Sequence, residues 1–182
     1  MTTTGCACGE SVTLEQVLEC RDQRALRQRV ALQEHGKPVL SLTLVMPGPV
    51  KESTDARFLF WTAINSIDAM LQEKCWPILA REVILMPTGP EALYVVNGNA
   101  HDLKCGLTEL EDQHALGRLW DIDVIGPDNV AISRSMLGLA SRRCLVCGAA
   151  AHACARSRAH PLEDLLKVIE EKVDGYRRSV ER

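Results

Sequence analysis

Gly117-Arg118-Leu119-Trp120-Asp121-Ile122-Asp123-Val124 is the stretch of this chain best equipped for chemistry. Two carboxylates separated by one apolar residue fall on the same face of a strand, because side chains alternate with period two. There they can hold a divalent cation, here expected to be Mg²⁺, against phosphate oxygens, as phosphoryl and nucleotidyl transfer require. The same pattern also marks the solvent face of a half-buried strand. Asp121 and Asp123 are the expected ligands, joined by Glu111 if Glu109-Leu110-Glu111 forms a neighbouring strand. Such crowding of carboxylates is electrostatically costly without a cation. His114 is a candidate proton acceptor for an attacking hydroxyl, since imidazole titrates near neutrality; a simply exposed loop histidine is the alternative. Gly117 would let backbone approach a phosphate and Arg118 would clamp it, against the plainer readings of turn glycine and surface arginine.

A second constellation follows. Cys144-Leu145-Val146-Cys147-Gly148 is a C-x₂-C knuckle, with Cys154 and His160 downstream. These four are ligand types that zinc prefers, and a site filled by four protein ligands is structural, leaving no position for substrate. A reduced dithiol with an unrelated Cys154 is the alternative. Zinc here would pin residues 143–160, with Arg142, Arg143, Arg156 and Arg158, beside the acidic strand.

The elements that must position these groups can be read from periodicity and breakers. Residues 1–12 lack periodicity and read as a flexible tail, in which Cys6 and Cys8 are incidental. Thr13 with Gln16 has the form of a capping box, and Leu14, Leu18, Ala25 and Leu32 recur on one helix face until Gly36. Arg21 and Gln28 lie on or beside that face, and Arg21 and Arg24 suit solvated or snorkelling roles. Pro38 to Met46 alternates as a strand, broken by Pro47-Gly48-Pro49, and Ser53 to Lys74 has helical spacing. Lys51 therefore sits between a strand end and a helix start, where an anion is welcome; a surface lysine after a rigid turn is the alternative. Ile78 to Met86 and Ala92 to Val96 read as a hairpin, Asp102 to Glu111 as imperfect strand-like alternation, residues 112–119 as a loop, and Asp121 to Ile125 as a strand. Pro161 opens a final helix. Elements come in runs without repeated βαβ units, which predicts one α+β domain over residues 13–182, a largely antiparallel sheet covered by helices.

The 182 residues, 46% of them hydrophobic, can bury a core, and a net charge of −3 argues against a surface devoted to nucleic acid. No apolar run approaches the ~20 residues of a membrane span, and the first residues lack a secretory signal, so a cytoplasmic location is expected. That setting favours metal ligation or buried thiols over disulfides for the eight cysteines.

The run Gly117 to Val124, the loop Pro47 to Lys51, the segment Arg21-Asp22-Gln23-Arg24 with Arg27-Gln28, and the Cys144-Leu145-Val146-Cys147 and Cys154-Ala155-Arg156 blocks with His160 together resemble the apo-citrate lyase phosphoribosyl-dephospho-CoA transferase family. The resemblance extends from about residue 14 to about residue 170. It implies transfer of a 5′-phosphoribosyl-dephospho-CoA unit from triphosphoribosyl-dephospho-CoA to a serine of the citrate lyase acyl carrier subunit, with release of diphosphate. It also favours phosphate contacts for Arg21 and Arg24. Asp121-Ile122-Asp123-Val124 is similar to the acidic strand of polymerase-like nucleotidyltransferases, whose Gly-Ser turn and short helix are replaced here by His114 to Arg118. Two other readings are a zinc-stabilised module that binds an acidic protein through its arginines, and a prosthetic-group transferase for another carrier. Clustered carboxylates speak against the first; periodicity does not separate the second.

Overall fold

The computed structural model describes residues 9–181; Cys6, Cys8 and most of the expected tail lie outside that range. The start of the described chain lies along the 49–52 segment: Val12 N–H donates to the Pro49 carbonyl, and Gly9 lies so close to Glu52 that a Cβ would overlap its carbonyl.

Helix α1 spans Leu14–His35, capped as expected by the reciprocal Thr13–Gln16 box and ended by Gly36 at φ +61°. Strand β1 (Val39–Leu44) follows, then α2 (Thr54–Glu73) with Ser53 as N-cap, and the hairpin β2 (Ile78–Ile84) and β3 (Glu91–Val96). Helix α3 (Ala100–Gln113) leads through a 3-10 turn at Gly117–Leu119 into β4 (Trp120–Ile125). A short α4 (Ala151–Ser157) and α5 (Leu162–Val180) complete the chain.

All strand pairs are antiparallel, in the order β2-β3-β1-β4. The fold is therefore the expected α+β arrangement. Alternation divides the sheet into two faces. Leu40, Leu42, Tyr94, Trp120, Ile122 and Val124 are buried with α2, α3 and α5 in the main core. On the other face the C-terminal half of α1 packs Ala31 and Leu32 against Val39, Val95 and Ile125. The N-terminal half of α1 overhangs: Leu14 and Leu18, expected on the buried stripe, are 74% and 48% exposed. No helix among the described residues is long and apolar enough to cross a membrane.

The strand expected over Asp102 to Glu111 is instead part of α3. Asn99 Oδ1 caps it by accepting from the His101 and Asp102 N–H groups. Ala100, Leu103 and Leu107 recur at helical spacing on its buried side, while Cys105, which completed the apparent alternation, is exposed. This helix lies along the outer edge of β4 and satisfies its backbone. Lys104 Nζ donates to the Ile122 carbonyl at 2.5 Å, and Ile122 N–H donates to Glu111 Oε1 at 3.1 Å. Trp120 N–H bonds Gly117 O, and Ile132 N–H bonds Val124 O.

Candidate functional site

Asp121 and Asp123 point away from the main core, on the face opposite Trp120, Ile122 and Val124. Across the β1–β4 ladder they stand opposite Thr43 and Ser41 respectively. Asp121 Oδ1 accepts a 2.6 Å hydrogen bond from Arg142 Nη1. Asp123 has no hydrogen-bond or ion-pair partner among the described residues. Surrounding protein, and then the charge of Asp121, raise its pKa above the usual carboxylate value, against the pull of Lys104 and Arg142. Two hard oxygen ligands two residues apart, one unpaired and electrostatically disfavoured, suit a divalent cation completed by substrate phosphates.

Glu111 does not join them. It is 2% exposed near the end of α3, where both of its oxygens are occupied. Oε1 accepts from Ile122 N–H and from Arg142 Nη2 at 2.7 Å, and Oε2 accepts from Arg134 Nη2 at 2.7 Å. The expected third metal ligand is thus a strut that locks α3, β4 and two arginines together. Glu109 faces out and accepts from Gln113, so the four-carboxylate cluster does not form.

The structure places three further candidates away from the aspartates. Gly117 is buried against the C-terminal end of α3, where a Cβ would lie 2.4 Å from the Glu111 carbonyl. Its lack of a side chain admits that helix end, not a phosphate. His114 is on the core side of β4, with its ring centroid 4.4 Å from that of Trp120 and 5.1 Å from that of Tyr176. The strand separates it from the aspartates, and burial lowers its pKa. Arg118 Nη2 donates to the Arg143 carbonyl, which ties the 3-10 turn to the cysteine-rich segment, while its Nη1 is buried without a partner among the described residues.

Arg21, Arg24 and Lys51 do converge. They line a cleft of about 150 Å³ beneath the overhanging half of α1, together with Thr43, Thr88 and Glu91. Lys51 Nζ donates to the Met46 carbonyl, and burial lowers its pKa. Glu91, 6% exposed, is held by Arg27 at 2.6 Å and Arg24 at 3.5 Å, so Arg24 enters the cleft already paired. Thr43 belongs to the cleft and stands opposite Asp121, which makes the basic cleft and the acidic strand neighbours on one sheet face. Arg118 lies apart from this cleft and lines a separate cavity.

Beyond β4 the chain forms the expected knuckle. Ligand atoms of Cys144, Cys147, Cys154 and His160 all lie within 4.8 Å of one another. Ligands around a tetrahedral zinc with ~2.3 Å Zn–S bonds are about 3.8 Å apart, so three thiols and an imidazole gathered this closely fit such an ion. His160 Nε2 is buried without a hydrogen-bond partner, as a ligating nitrogen would be. Burial acts to raise the Cys144 thiol, but backbone N–H groups of Cys147 and Val146 and the neighbouring thiols outweigh it and bring it down to about 6. The loop turns back through Cys144 N–H to Ala149 O and Ala151 N–H to Arg142 O.

Arg142, expected beside the acidic strand, is there, contacting Asp121 and Glu111. Arg134 is the site's unforeseen member and, in an irregular segment, offered no signal.

The family model for apo-citrate lyase phosphoribosyl-dephospho-CoA transferase matches residues 12–176. Proteins of that name from Shigella boydii serotype 18, Escherichia coli O157:H7 and Shigella sonnei are each 39% identical to this chain over 160 residues, 88% of this chain and 87% of theirs.

Proposed function

Because the chain belongs to the apo-citrate lyase phosphoribosyl-dephospho-CoA transferase family, we propose that it moves the 5′-phosphoribosyl-3′-dephospho-CoA group from its triphosphate precursor to a serine of the citrate lyase acyl carrier subunit. What carries this reading is the adjacency of Asp121 and Asp123 to the cleft of Arg21, Arg24 and Lys51, joined through Thr43. A triphosphate placed across this boundary lays its terminal phosphates against the basic groups and its α-phosphate over the aspartates. The serine oxygen bonds to the α-phosphorus, the bond to the β-bridging oxygen breaks, diphosphate leaves and the hydroxyl proton passes to solvent.

Asp121 and Asp123 would hold Mg²⁺, which supplies charge neutralisation to the phosphoryl oxygens as in other nucleotidyl transfers. Arg142 fixes the rotamer of Asp121. Lys51, partly withdrawn from water, gives a cation whose attraction to phosphate is less screened than on an open surface. His114 has no part in the chemistry. Cys144, Cys147, Cys154 and His160 would hold a structural Zn²⁺, leaving no position open for substrate.

Intact-mass measurement of purified apo carrier subunit after incubation with the protein, triphosphoribosyl-dephospho-CoA and Mg²⁺ is the test. A mass increment equal to the prosthetic group on the citrate lyase carrier is the expected result. Modification of a different lyase or decarboxylase carrier alone would reassign the acceptor, and no increment on any carrier would sink the reaction.

A further inference from the structure

An apolar cavity of about 460 Å³ lies across the Pro47-Gly48-Pro49 loop from the basic cleft. The loop is a genuine partition. Met46 lines the basic cleft while Val45 and Pro47 line the cavity. Gly48, at φ +83°, would bring a Cβ within 3.2 Å of Leu162, so the loop is seated directly on the start of α5. Leu145 from the knuckle and Leu162 and Leu165 from α5 form the aliphatic walls, and Leu162 is 43% exposed.

Its lining includes the arginines Arg118 and Arg158 and no carboxylate, with Cys144, Cys154 and His160 of the knuckle along one side. Arg118 reaches it from the 3-10 turn, with its Nη2 tied to the Arg143 carbonyl. No tryptophan, tyrosine or phenylalanine lines the walls, so a flat base has no ring to stack on. The volume lies within the range that accepts a ligand of drug size.

We propose that this cavity takes the phosphopantetheine arm of the donor, with its aliphatic and amide chain against Leu145, Leu162 and Leu165 and its diphosphate at Arg118 and Arg158. The proposal rests on the donor named under the proposed function and extends it. That donor carries two anionic groups, the reacting triphosphate and the diphosphate that bears pantetheine. The chain offers two matching sites, one on each side of a single loop. Arg118, expected to clamp a phosphate, belongs by position to this second phosphate group.

The test is direct binding, by calorimetry with no carrier present, of dephospho-CoA, 4′-phosphopantetheine, AMP and tripolyphosphate. Ala155→Trp and Leu165→Trp fill the cavity from two sides, and Ala155 is exposed on α4, so its replacement leaves the core untouched. Dephospho-CoA and phosphopantetheine should bind wild type, AMP should bind at least roughly tenfold more weakly, and both variants should weaken the first two by roughly tenfold while leaving tripolyphosphate unchanged. AMP binding as tightly as dephospho-CoA, undiminished binding to both variants, or no binding of phosphopantetheine to wild type would each overturn the proposal. Absence of carrier modification beside intact, cavity-dependent dephospho-CoA binding would instead overturn the reaction and leave this site standing.

Discussion

Arg142 donates to Asp121 Oδ1 at 2.6 Å from one guanidinium nitrogen while the other reaches Glu111 Oε1 at 2.7 Å. One side chain thus connects the exposed acidic face of β4 with the buried carboxylate behind its edge. Because Arg142 lies two residues before Cys144, the geometry of Asp121 is set from the knuckle as well as from the sheet.

Asp121→Asn and Asp123→Asn are each expected to lower transfer by about a hundredfold or more, the scale lost when a charge-stabilising group is removed from such a site. Asp123→Asn should also stabilise the metal-free fold near neutral pH. A carboxyl with a raised folded pKa binds more protons folded than unfolded between its two pKa values, so stability falls as pH rises through that window. Thermal melts from acid to neutral pH, with and without Mg²⁺, check the second effect. Near-normal turnover by both variants would refute the metal assignment.

Arg134→Met leaves Glu111, 2% exposed, with one of its two arginine partners. A loss of about 3–5 kcal/mol is the range for breaking a buried ion pair, and the remaining Arg142 contact should hold the cost at or below its lower end. The double variant with Glu111→Gln should recover part of the loss. Denaturant unfolding of the four proteins in a cycle measures the coupling.

Cys147→Ser should lower metal content and melting temperature together, since the binding free energy of a structural zinc is coupled to folding. Protein purified without chelator and analysed for metal provides the check. Less than about a tenth of an equivalent of zinc, with a melting temperature indifferent to chelation, would favour free thiols.

Lys51→Ala should weaken tripolyphosphate binding by about 2–5 kcal/mol if the cleft is dry, and by less if water enters, with a smaller effect from the exposed Arg21→Ala. Titration in the absence of carrier separates donor contact from carrier docking. Unchanged affinity in both variants, with weakened carrier binding, would make the cleft a protein-docking surface.

His114→Phe should retain turnover, because the ring is on the far side of β4 from the aspartates. Burial lowers the pKa of the wild-type imidazole. Between that lowered pKa and the unfolded value of about 6.5 the unfolded chain binds more protons, so wild-type stability drops as pH drops through that window and the variant should lose that slope. Melts across the acid range read the slope, and loss of transfer at unchanged stability would restore His114 to the chemistry.

Where local rules decide structure, the sequence was legible. The Thr13–Gln16 box and Gly36 bound α1, Ser53 starts α2, and the alternation around Asp121 and Asp123 places both on one face of β4. Helix α3 was misread because Leu103, Cys105 and Leu107 imitate alternation, while Lys104 and Glu111 interrupt its apolar stripe. Their polarity answers to a strand edge distant in sequence, which no local pattern reports. Long-range ion pairs were hidden for the same reason. Glu91 gave no sign that it would hold Arg24 and Arg27, nor Arg134 that it would reach Glu111.

The outer edge of β4 has a consequence for the protein's solubility. Trp120 N–H and C=O, Ile122 N–H and C=O, and Val124 C=O are all taken by groups of the same chain: Gly117, Arg142, Glu111, Lys104 and Ile132. A strand edge with these ladder groups already filled is a poor template for a foreign strand, so this end of the sheet resists fibrillar growth. The opposite margin, β2, carries Ile78 and Leu79 at 39% and 46% exposure and has no strand beyond it among the described residues, so it is the margin open to sheet extension.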